Sequence, residues 1–205
     1  MSHVIDLVLL TEVFVTLFVI MDPPGTIPVF LSLTSGRSVA TIRRAAWQAV
    51  MVSFFVITAF ALFGQGILHY LHISLPALQG AGGLLLLLVA LELLTGNERE
   101  PTAAADVNVA LVPLGTPLLA GPGAIVATML FTRRVDSVAE FVAVALGIVL
   151  VHVCIWLAMR FSVRILKVIR ESGVVLVTRI AGLLLSAIAV QMVADAVRAF
   201  IAGRG

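Results

Sequence analysis

The chain has 205 residues, of which 61% are apolar and only 12% are charged, and its mean hydropathy is +1.17. A soluble domain is about half apolar and about a quarter charged, so this composition excludes an ordinary water-soluble protein. The net charge of +2 requires no nucleic-acid partner, because cytoplasmic loops of membrane proteins carry surplus Lys and Arg. Uncharged runs at 45–63 and 141–159 are long enough to cross a lipid bilayer, so we predict a multi-pass membrane protein.

Six membrane spans are predicted along the chain, which makes the fold all-α. In chain order they cover residues 5–35, 39–67, 75–94, 107–132, 137–161 and 174–201. The first stretch is too long for one straight helix, which indicates a break inside it. The N-terminal sequence MSHVIDLVLL has no basic region and no small-residue cleavage site, so we expect a retained helix rather than a cleaved signal peptide.

Basic residues assign the loops to the two sides of the membrane. The loops after the first, third and fifth spans hold nine of them: Arg37, Arg43, Arg44, Arg99, Arg160, Arg164, Lys167, Arg170 and Arg179. The opposite side holds four: Arg133, Arg134, Arg198 and Arg204. Because cytoplasmic loops are enriched in Lys and Arg, we predict that the first set is cytoplasmic and that the N- and C-termini both lie outside.

The first span contains the sequence MDPPGTIPVF, which combines a charge with helix-breaking residues. Proline lacks an N–H and clashes with the preceding helical turn, so Pro23 and Pro24 should interrupt the helix near the middle of the membrane. Asp22, which precedes them, should leave helical geometry as well. Gly25 lets a ligand approach the backbone, and Thr26, on the first turn after the break, could donate a hydroxyl hydrogen bond to it.

Asp22 is the most informative side chain, because an ionisable group at membrane depth is a functional candidate by default. One interpretation is an N-cap for the half-helix that starts at Pro23 or Pro24, a role that Asp performs well. The alternatives are capping shared with ligand or proton binding, and ion coupling alone. The sequence leaves these roles open.

The chain divides into two similar halves around one hydrophilic connection. We predict a single transmembrane domain over residues 1–205, with repeat one at 1–96, a cytoplasmic linker at 97–108 and repeat two at 109–205. DPPGTIPVFLSLT aligns with AGPGAIVATMLFT at an offset of 98 residues, and GLLLLLVALEL aligns with GLLLSAIAVQM at 99. Because each half has three spans, an odd number, the second copy must be inverted in the membrane.

The second half repeats the break in its first span, the fourth of the chain. Its candidate site residues are Gly121, Pro122, Gly123 and Ala124, and its P-G dipeptide aligns with that of the first break. Two facing breaks would cover each other's unpaired backbone groups. A restarting half-helix directs N–H groups at a carboxylate, and a stopping one offers carbonyls to an ammonium group or a cation. Such a cavity suits a small zwitterion.

Other polar residues of the predicted spans are weaker candidates. His152, near the middle of the fifth span, could relay protons and join Asp22 in ion coupling, although an interhelical hydrogen bond is the preferred alternative. Glu92 lies toward one end of the third span. Gln191 and Asp195 share one face of the sixth span, where packing or an interface position explains them.

The paired motifs DPPGTIPVF and PLLAGPGAI resemble those of the MarC (UPF0056-type) family of six-span prokaryotic membrane proteins, which includes SnatA-type transporters of small neutral amino acids. The resemblance covers nearly the whole chain and places the family's substrate contacts at residues 22–25 and 121–123. It implies a glycine- or alanine-sized substrate held at the two breaks, coupling to H⁺ or Na⁺, and the cytoplasmic (inner) membrane. Family members commonly have Asn after the first Gly, so Thr26 is a departure that bears on substrate choice.

The predicted function is secondary active transport of a small neutral amino acid, with no cofactor and no metal. The alternative is an exporter of another small metabolite or drug, which would have a larger and more aromatic cavity. We predict no enzyme, because GxSG, HExxH and paired catalytic carboxylates are absent, and no redox carrier, because Cys154 is the only cysteine. An assembly subunit without transport stays open, and the chain could form a homo-oligomer.

Overall fold

The computed structural model describes residues 5–34, 36–95 and 119–203, and all the regular secondary structure in these ranges is helical. The helices are α1 (Leu7–Met21), α2 (Thr26–Leu33), α3 (Val39–Tyr70), α4 (Leu75–Thr95), α5 (Pro122–Arg133), α6 (Val138–Arg160) and α7 (Ser162–Ile201). The predicted linker at 97–108 and the first part of the fourth predicted span lie outside the described residues.

Four helices of the described ranges are long and apolar enough to cross a membrane. They are α3, α4, α6 and the part of α7 at Ser172–Ile201. α3 has 32 residues, which at about 1.5 Å per residue exceeds a hydrocarbon core of about 30 Å. The predicted second, third, fifth and sixth spans are confirmed, with ends that differ from the prediction by at most three residues.

The first predicted span is built from two shorter helices. α1 begins after Asp6, whose carboxylate accepts hydrogen bonds from two backbone N–H groups of the first turn, each at 3.0 Å. It ends at Met21, residues 22–25 leave helical geometry, and α2 resumes at Thr26. With 15 and 8 residues, neither helix spans a bilayer by itself. The predicted break in this span is confirmed.

The fourth predicted span is described from Leu119 onward. Residues 119–121 are non-helical, Gly121 is the N-cap, and α5 begins at Pro122. Proline suits the first turn of a helix, because its missing N–H would have no intrahelical partner there. In the described part of the span, the helix therefore begins at the predicted proline.

α7 contains a departure from regular geometry at Arg170, whose φ of 62° and ψ of 164° are non-helical. No helix is predicted between the fifth and sixth spans, but the chain is helical from Ser162 onward. Ile165 and Leu166 are half-buried, whereas Lys167 next to them is exposed. A helix with one apolar side therefore forms here in spite of its basic residues.

The helices pack into one connected bundle. α4 packs along α7, α1 along α6, and α3 against both α5 and α6. α4 also contacts α5, α1 contacts α5, and α7 contacts both α1 and α2. One apolar core is shared by α1, α3, α5 and α6 and includes Val13, Ile57 and Ile155. A second core lies between α4, α5 and α7 around Leu86 and Leu185.

Two glycines allow α4 and α7 to approach closely. A Cβ atom at Gly83 of α4 would lie 2.9 Å from the carbonyl oxygen of Ala189. A Cβ atom at Gly182 of α7 would lie 3.3 Å from the carbonyl oxygen of Ala90. Both distances are shorter than an ordinary van der Waals contact, so a side chain at either position would push the two helices apart. Gly83 belongs to the small-residue segment GAGG at 80–83, which therefore allows close helix packing.

Candidate functional site

The first interruption is centred on Asp22, which is buried, with 7% of its surface exposed. Its φ of 40° and ψ of 69° place it in the left-handed region, where Asp is one of the few non-glycine residues found with any frequency. Its backbone N–H donates to the Phe18 carbonyl, and its carbonyl accepts from the Thr26 N–H, each at 3.1 Å. Asp22 therefore closes α1 as its C-cap. The half-helix expected to start at Pro23 or Pro24 begins instead at Thr26.

Gly25 leaves room for the carboxylate of Asp22. A Cβ atom at Gly25 would overlap the Asp22 Oδ2 atom and lie 2.8 Å from its Cγ. The same Cβ atom would lie 3.2 Å from the Thr178 Oγ1 atom of α7. The carboxylate of the break thus fills the place that a side chain at residue 25 would need, and the hydroxyl of a facing helix lies beside that place.

Thr178 was not predicted as a site residue. It is buried, with 6% of its surface exposed, and its Oγ1 atom has no hydrogen-bond partner among the described residues. Burial of an unsatisfied hydroxyl costs about 1–3 kcal/mol, so a buried group of this kind points to a ligand or to ordered water. The sequence signal that could have found it is weak: a lone threonine within the apolar sixth span.

Thr26 uses its hydroxyl within the break. Its Oγ1 atom donates to the carbonyl of Pro23 at 2.7 Å, so the hydrogen is engaged inside the turn. The expectation that Thr26 donates to a ligand is therefore wrong for this conformation, because the nearby backbone carbonyl takes the hydrogen bond first. The oxygen can still accept a hydrogen bond. Pro23 is buried, and Pro24 is half-buried.

The second predicted interruption lies at the N-terminus of α5. Gly121 has no side chain with which to cap it, and Pro122 at the first helical position has no N–H. Gly123 and Ala124 follow and are both buried. A Cβ atom at Gly123 would overlap the side chain of Leu86 in α4. The N–H groups of the first helical turn have no intrahelical acceptor, so this end of α5 has the donors and the dipole that favour an anion.

The fold brings residues 22–25 and the N-terminal end of α5 to the same helix pair. Gly25 faces α7 through Thr178, Gly123 faces α4 through Leu86, and α4 and α7 pack along each other. α1 and α5 are also in contact, and Met21 and Ala120, which border the two breaks, belong to one apolar core. The predicted substrate-binding residues thus lie on two segments, one packed against α7 and one against α4.

His152 lies apart from this set, between α3 and α6. Its Nε2 atom is 3.2 Å from the Ser53 Oγ atom, and its Nδ1 atom is 2.7 Å from the Ile148 carbonyl oxygen. Because a carbonyl only accepts, Nδ1 carries the hydrogen, and Nε2 accepts from Ser53. The ring also packs edge-on against Phe54, with centroids 5.3 Å apart. The preferred alternative, an interhelical hydrogen bond, is confirmed, whereas a part in ion coupling stays a prediction.

The remaining polar candidates lie toward the ends of their helices. Glu92 is half-buried near the end of α4. The Gln191 side chain donates to Asp195 at 2.8 Å on an exposed face of α7, and Arg198 lies 3.8 Å from the same carboxylate. The interface position predicted for Asp195 fits this pairing. Among the described residues, no group of three or more His, Cys, Asp or Glu side chains is placed to hold a metal ion.

A cavity of about 440 Å³ lies between α3, α6 and the end of α5. It is bordered by Phe54, Leu62, Thr132, Phe141 and Val149 among others, and none of the residues at the two breaks lines it. A smaller groove of about 190 Å³ lies beside it along α3 and α6, and two of these residues line both spaces. Both spaces are mostly apolar.

Comparison with known proteins identifies the relatives of this chain. Residues 7–201 match the protein family described as "MarC family integral membrane protein". The chain is 37% identical over 192 residues to a UPF0056 membrane protein of Methanocaldococcus jannaschii. The aligned region covers 90% of this chain and 94% of that protein. It is 35% identical over 200 residues to a UPF0056 membrane protein of Aquifex aeolicus, with 93% of each covered.

A third relative comes from Escherichia coli. The UPF0056 membrane protein YhcE of strain K12 is 30% identical over 199 residues, which cover 93% of this chain and 92% of that protein. No solved structure matches the chain. The match over nearly the full length, together with the membrane-spanning helices, shows an integral multi-pass membrane protein. The chain belongs to the MarC family of integral membrane proteins.

Proposed function

We propose that this chain is a secondary active transporter of small neutral amino acids such as glycine or alanine, which it holds at its two interrupted helices. The observation that carries the proposal is the polar junction at Gly25, where the buried Asp22 carboxylate and the buried Thr178 hydroxyl lie around a residue without a side chain. A buried ionisable group in a membrane-spanning region is expensive and marks a substrate or ion pathway. Enzymatic activity has no part in this proposal.

The proposed substrate chemistry follows from the polarity of the two breaks. At the first break, α1 ends and offers carbonyl groups beside the Asp22 carboxylate, an environment that suits an ammonium group. At the second break, α5 begins at Pro122 and offers N–H groups and a positive helix end, which suit a carboxylate. An α-amino acid carries both charges a few ångströms apart. A small substrate side chain fits best, because neighbouring side chains already contact Gly25 and Gly123 so closely that neither position has room for a methyl group.

An inverted repeat is the second part of the proposal, and the α4–α7 packing supports it. Gly83 and Gly182 are related by the repeat offset of 99 residues, and so are Ala90 and Ala189. Gly83 meets the carbonyl of Ala189, and Gly182 meets the carbonyl of Ala90. Such an exchange of partners is what a pseudo-two-fold axis between two copies of one unit produces. The hydrogen bond between Ser53 and His152 joins residues separated by the same offset.

The bundle repeats this exchange at the level of whole helices. α2 contacts α6, and α5, which the offset of 98 residues aligns with α2, packs against α3, the counterpart of α6. α4 contacts α5, and its counterpart α7 contacts both helices of the first predicted span. Six spans in two inverted halves, with the helices of the first and fourth broken near the membrane midplane, account for both sets of contacts.

The proposed transport cycle places the protein in the prokaryotic cytoplasmic (inner) membrane and couples it to H⁺ or Na⁺. Nine of the 13 basic residues lie on the loops assigned to the cytoplasm, which puts both termini outside. Asp22 is the group proposed to exchange a cation or a proton with the pathway, since it is the one carboxylate at the first break. Its backbone role as the C-cap of α1 is compatible with this second role.

Ligand-dependent unfolding of the purified protein tests the site. A ligand that binds only the folded state at about a hundredfold its Kd stabilises the protein by about 2.7 kcal/mol. We expect glycine and alanine to raise the unfolding midpoint and bulky or charged amino acids to leave it unchanged. Thr178→Val should reduce this shift, because the methyl group removes the hydroxyl at nearly constant volume.

The matched control is Thr34→Val. Thr34 is also buried, but its hydroxyl donates to the Phe30 carbonyl at 2.7 Å within α2. We expect this variant to keep the ligand-induced shift. If no amino acid stabilises the wild-type protein, or if both threonine variants respond equally, the proposed site is wrong.

An exporter of a larger metabolite or drug is the second candidate, and the cavity of about 440 Å³ favours it. This cavity contains the aromatic side chains of Phe54 and Phe141, and its volume lies in the range of sites for drug-sized ligands. A panel of apolar amphiphiles in the same unfolding assay distinguishes the candidates. Stabilisation by these compounds, abolished by Ala145→Phe but not by Thr178→Val, would favour the exporter.

A further inference from the structure

The outer side of the α3–α6 pair carries a concave apolar groove of about 190 Å³. Its lining includes Trp47, Val50, Met51, Val153 and Trp156. The two tryptophan rings meet edge-on with centroids 6.3 Å apart and mark one end of the groove. At the other end, the groove adjoins the larger cavity, with which it shares Phe54 and Val149 as lining residues.

The tryptophan end of the groove lies at the level of a membrane interface. From Trp47 to Ile67 of α3 the chain rises by roughly 30 Å, which is about the thickness of a hydrocarbon core. Trp156 is one helical turn from the end of α6 at Arg160. Tryptophan is enriched at this depth, since its ring is apolar and its N–H is polar. Groups one turn beyond the tryptophans therefore lie among the lipid headgroups.

Three guanidinium groups occupy that position. Arg43 and Arg44 precede Trp47 by four and three residues, and Arg160 follows Trp156 by four, so helical periodicity places all three on the groove faces of α3 and α6. The two helices are antiparallel, as their tryptophan pair shows, so the three groups lie at the same end of the groove. Among the ion pairs of the described ranges, none involves these residues.

We infer that this groove is a binding site for one anionic phospholipid, whose phosphate is held by Arg43, Arg44 and Arg160 and whose acyl chain lies in the groove. Arginine binds phosphate oxygens in a bidentate manner, and basic pockets between transmembrane helices bind anionic headgroups. The groove and the adjoining larger cavity together reach from Trp47 to Leu62, roughly 22 Å along α3, which accommodates a full acyl chain. The inference rests on the groove and its charges and does not depend on transport.

Thermal unfolding with defined lipids tests the inference on the full-length protein. Delipidated protein in neutral detergent would receive phosphatidylglycerol or phosphatidylcholine with identical acyl chains. We expect phosphatidylglycerol to bind more tightly and to raise the unfolding midpoint further. The double variant Arg44→Gln/Arg160→Gln should reduce the apparent affinity for phosphatidylglycerol about 30-fold, since each basic residue contributes about 1 kcal/mol near an anionic headgroup.

Two further variants separate the headgroup from the chain. Arg133→Gln removes an exposed charge at the far end of the bundle and should leave the lipid preference unchanged. Val153→Phe fills the groove but keeps all three arginines, and it should weaken both lipids equally. Equal stabilisation by the two lipids in the wild-type protein would overturn the inference, and so would an equal loss in Arg133→Gln. A lipid-independent dimer that Val153→Phe dissociates would show that a second copy of the chain occupies the groove instead.

Discussion

Replacement of Gly25 by alanine is the sharpest local perturbation that the structure offers. The new methyl group would overlap the Asp22 carboxylate and lie 3.2 Å from the Thr178 Oγ1 atom. Gly25 itself does not have a positive φ, so the alanine backbone is allowed and the cost comes from the collision alone. Overpacking of a buried site costs about 1–3 kcal/mol. Backbone hydrogen bonds on both sides hold the main chain of Asp22, so the collision can be relieved only by rotation of its side chain within a buried site.

The assay is thermal or denaturant unfolding of purified Gly25→Ala, with and without glycine. We expect a loss of about 1–3 kcal/mol of stability, together with loss of the ligand-induced shift, because the methyl group displaces the Asp22 carboxylate from its place in the proposed site. Gly66→Ala is the matched control, since a Cβ atom at this exposed position in α3 meets nothing within 4 Å. Alanine is the better helix former by about 1 kcal/mol in water, so this variant should be at least as stable as the wild type.

A double-mutant cycle tests whether the Asp22 carboxylate is the group that the new methyl group at residue 25 would overlap. In the Asp22→Ala background the carboxylate is absent, so the further change Gly25→Ala should cost far less than it does in the wild type. Additive effects of the two changes would refute this placement of the carboxylate. So would a Gly25→Ala protein with wild-type stability and an unchanged response to glycine.

Three further predictions concern the scaffold. Ser53→Ala leaves the His152 ring nitrogen without its hydrogen-bond donor and should lower the stability measured by thermal unfolding by about 0.6–1.7 kcal/mol. Unchanged stability would mean that this hydrogen bond is not formed. Gly83→Ala and Gly182→Ala should both destabilise the α4–α7 pair in the same assay. The loss should be larger for Gly83→Ala, because its Cβ atom would lie closer to the facing carbonyl oxygen. Stabilisation of the protein by either change would contradict the close packing of the two helices. Ser137→Ala removes the capping box of α6 and should cost about 1 kcal/mol by denaturant unfolding, and an unchanged midpoint would contradict that capping role.

The membrane spans were predictable because lipid imposes a simple requirement of apolar length. α3, α4, α6 and the span at Ser172–Ile201 lie within three residues of their predicted ends. The first break was predictable for an equally local reason, since two consecutive prolines cannot continue a helix. The helical segment that begins at Ser162 was missed, because its basic residues suggested a loop and its half-buried apolar side becomes apparent only at helical spacing.

The partners of the site residues were much less predictable. Thr178 borders the first break only because α7 packs there, and a single threonine in an apolar run carries no spacing that reveals this contact. Thr26 was expected to face a ligand, but a carbonyl three residues back takes its hydrogen bond. Ser53 could have been named as the partner of His152, because the two are separated by the repeat offset. Long-range partners follow from packing, which local sequence patterns do not encode.

Uptake by the purified protein in liposomes tests the central claim most directly. With radiolabelled glycine or alanine and an imposed H⁺ or Na⁺ gradient, we predict saturable uptake that unlabelled glycine and alanine inhibit. Thr178→Val should reduce this uptake, and Thr34→Val should retain it. Absence of uptake or exchange across a broad panel of amino acids, by wild-type protein shown to be folded and inserted, would contradict the proposed transport function.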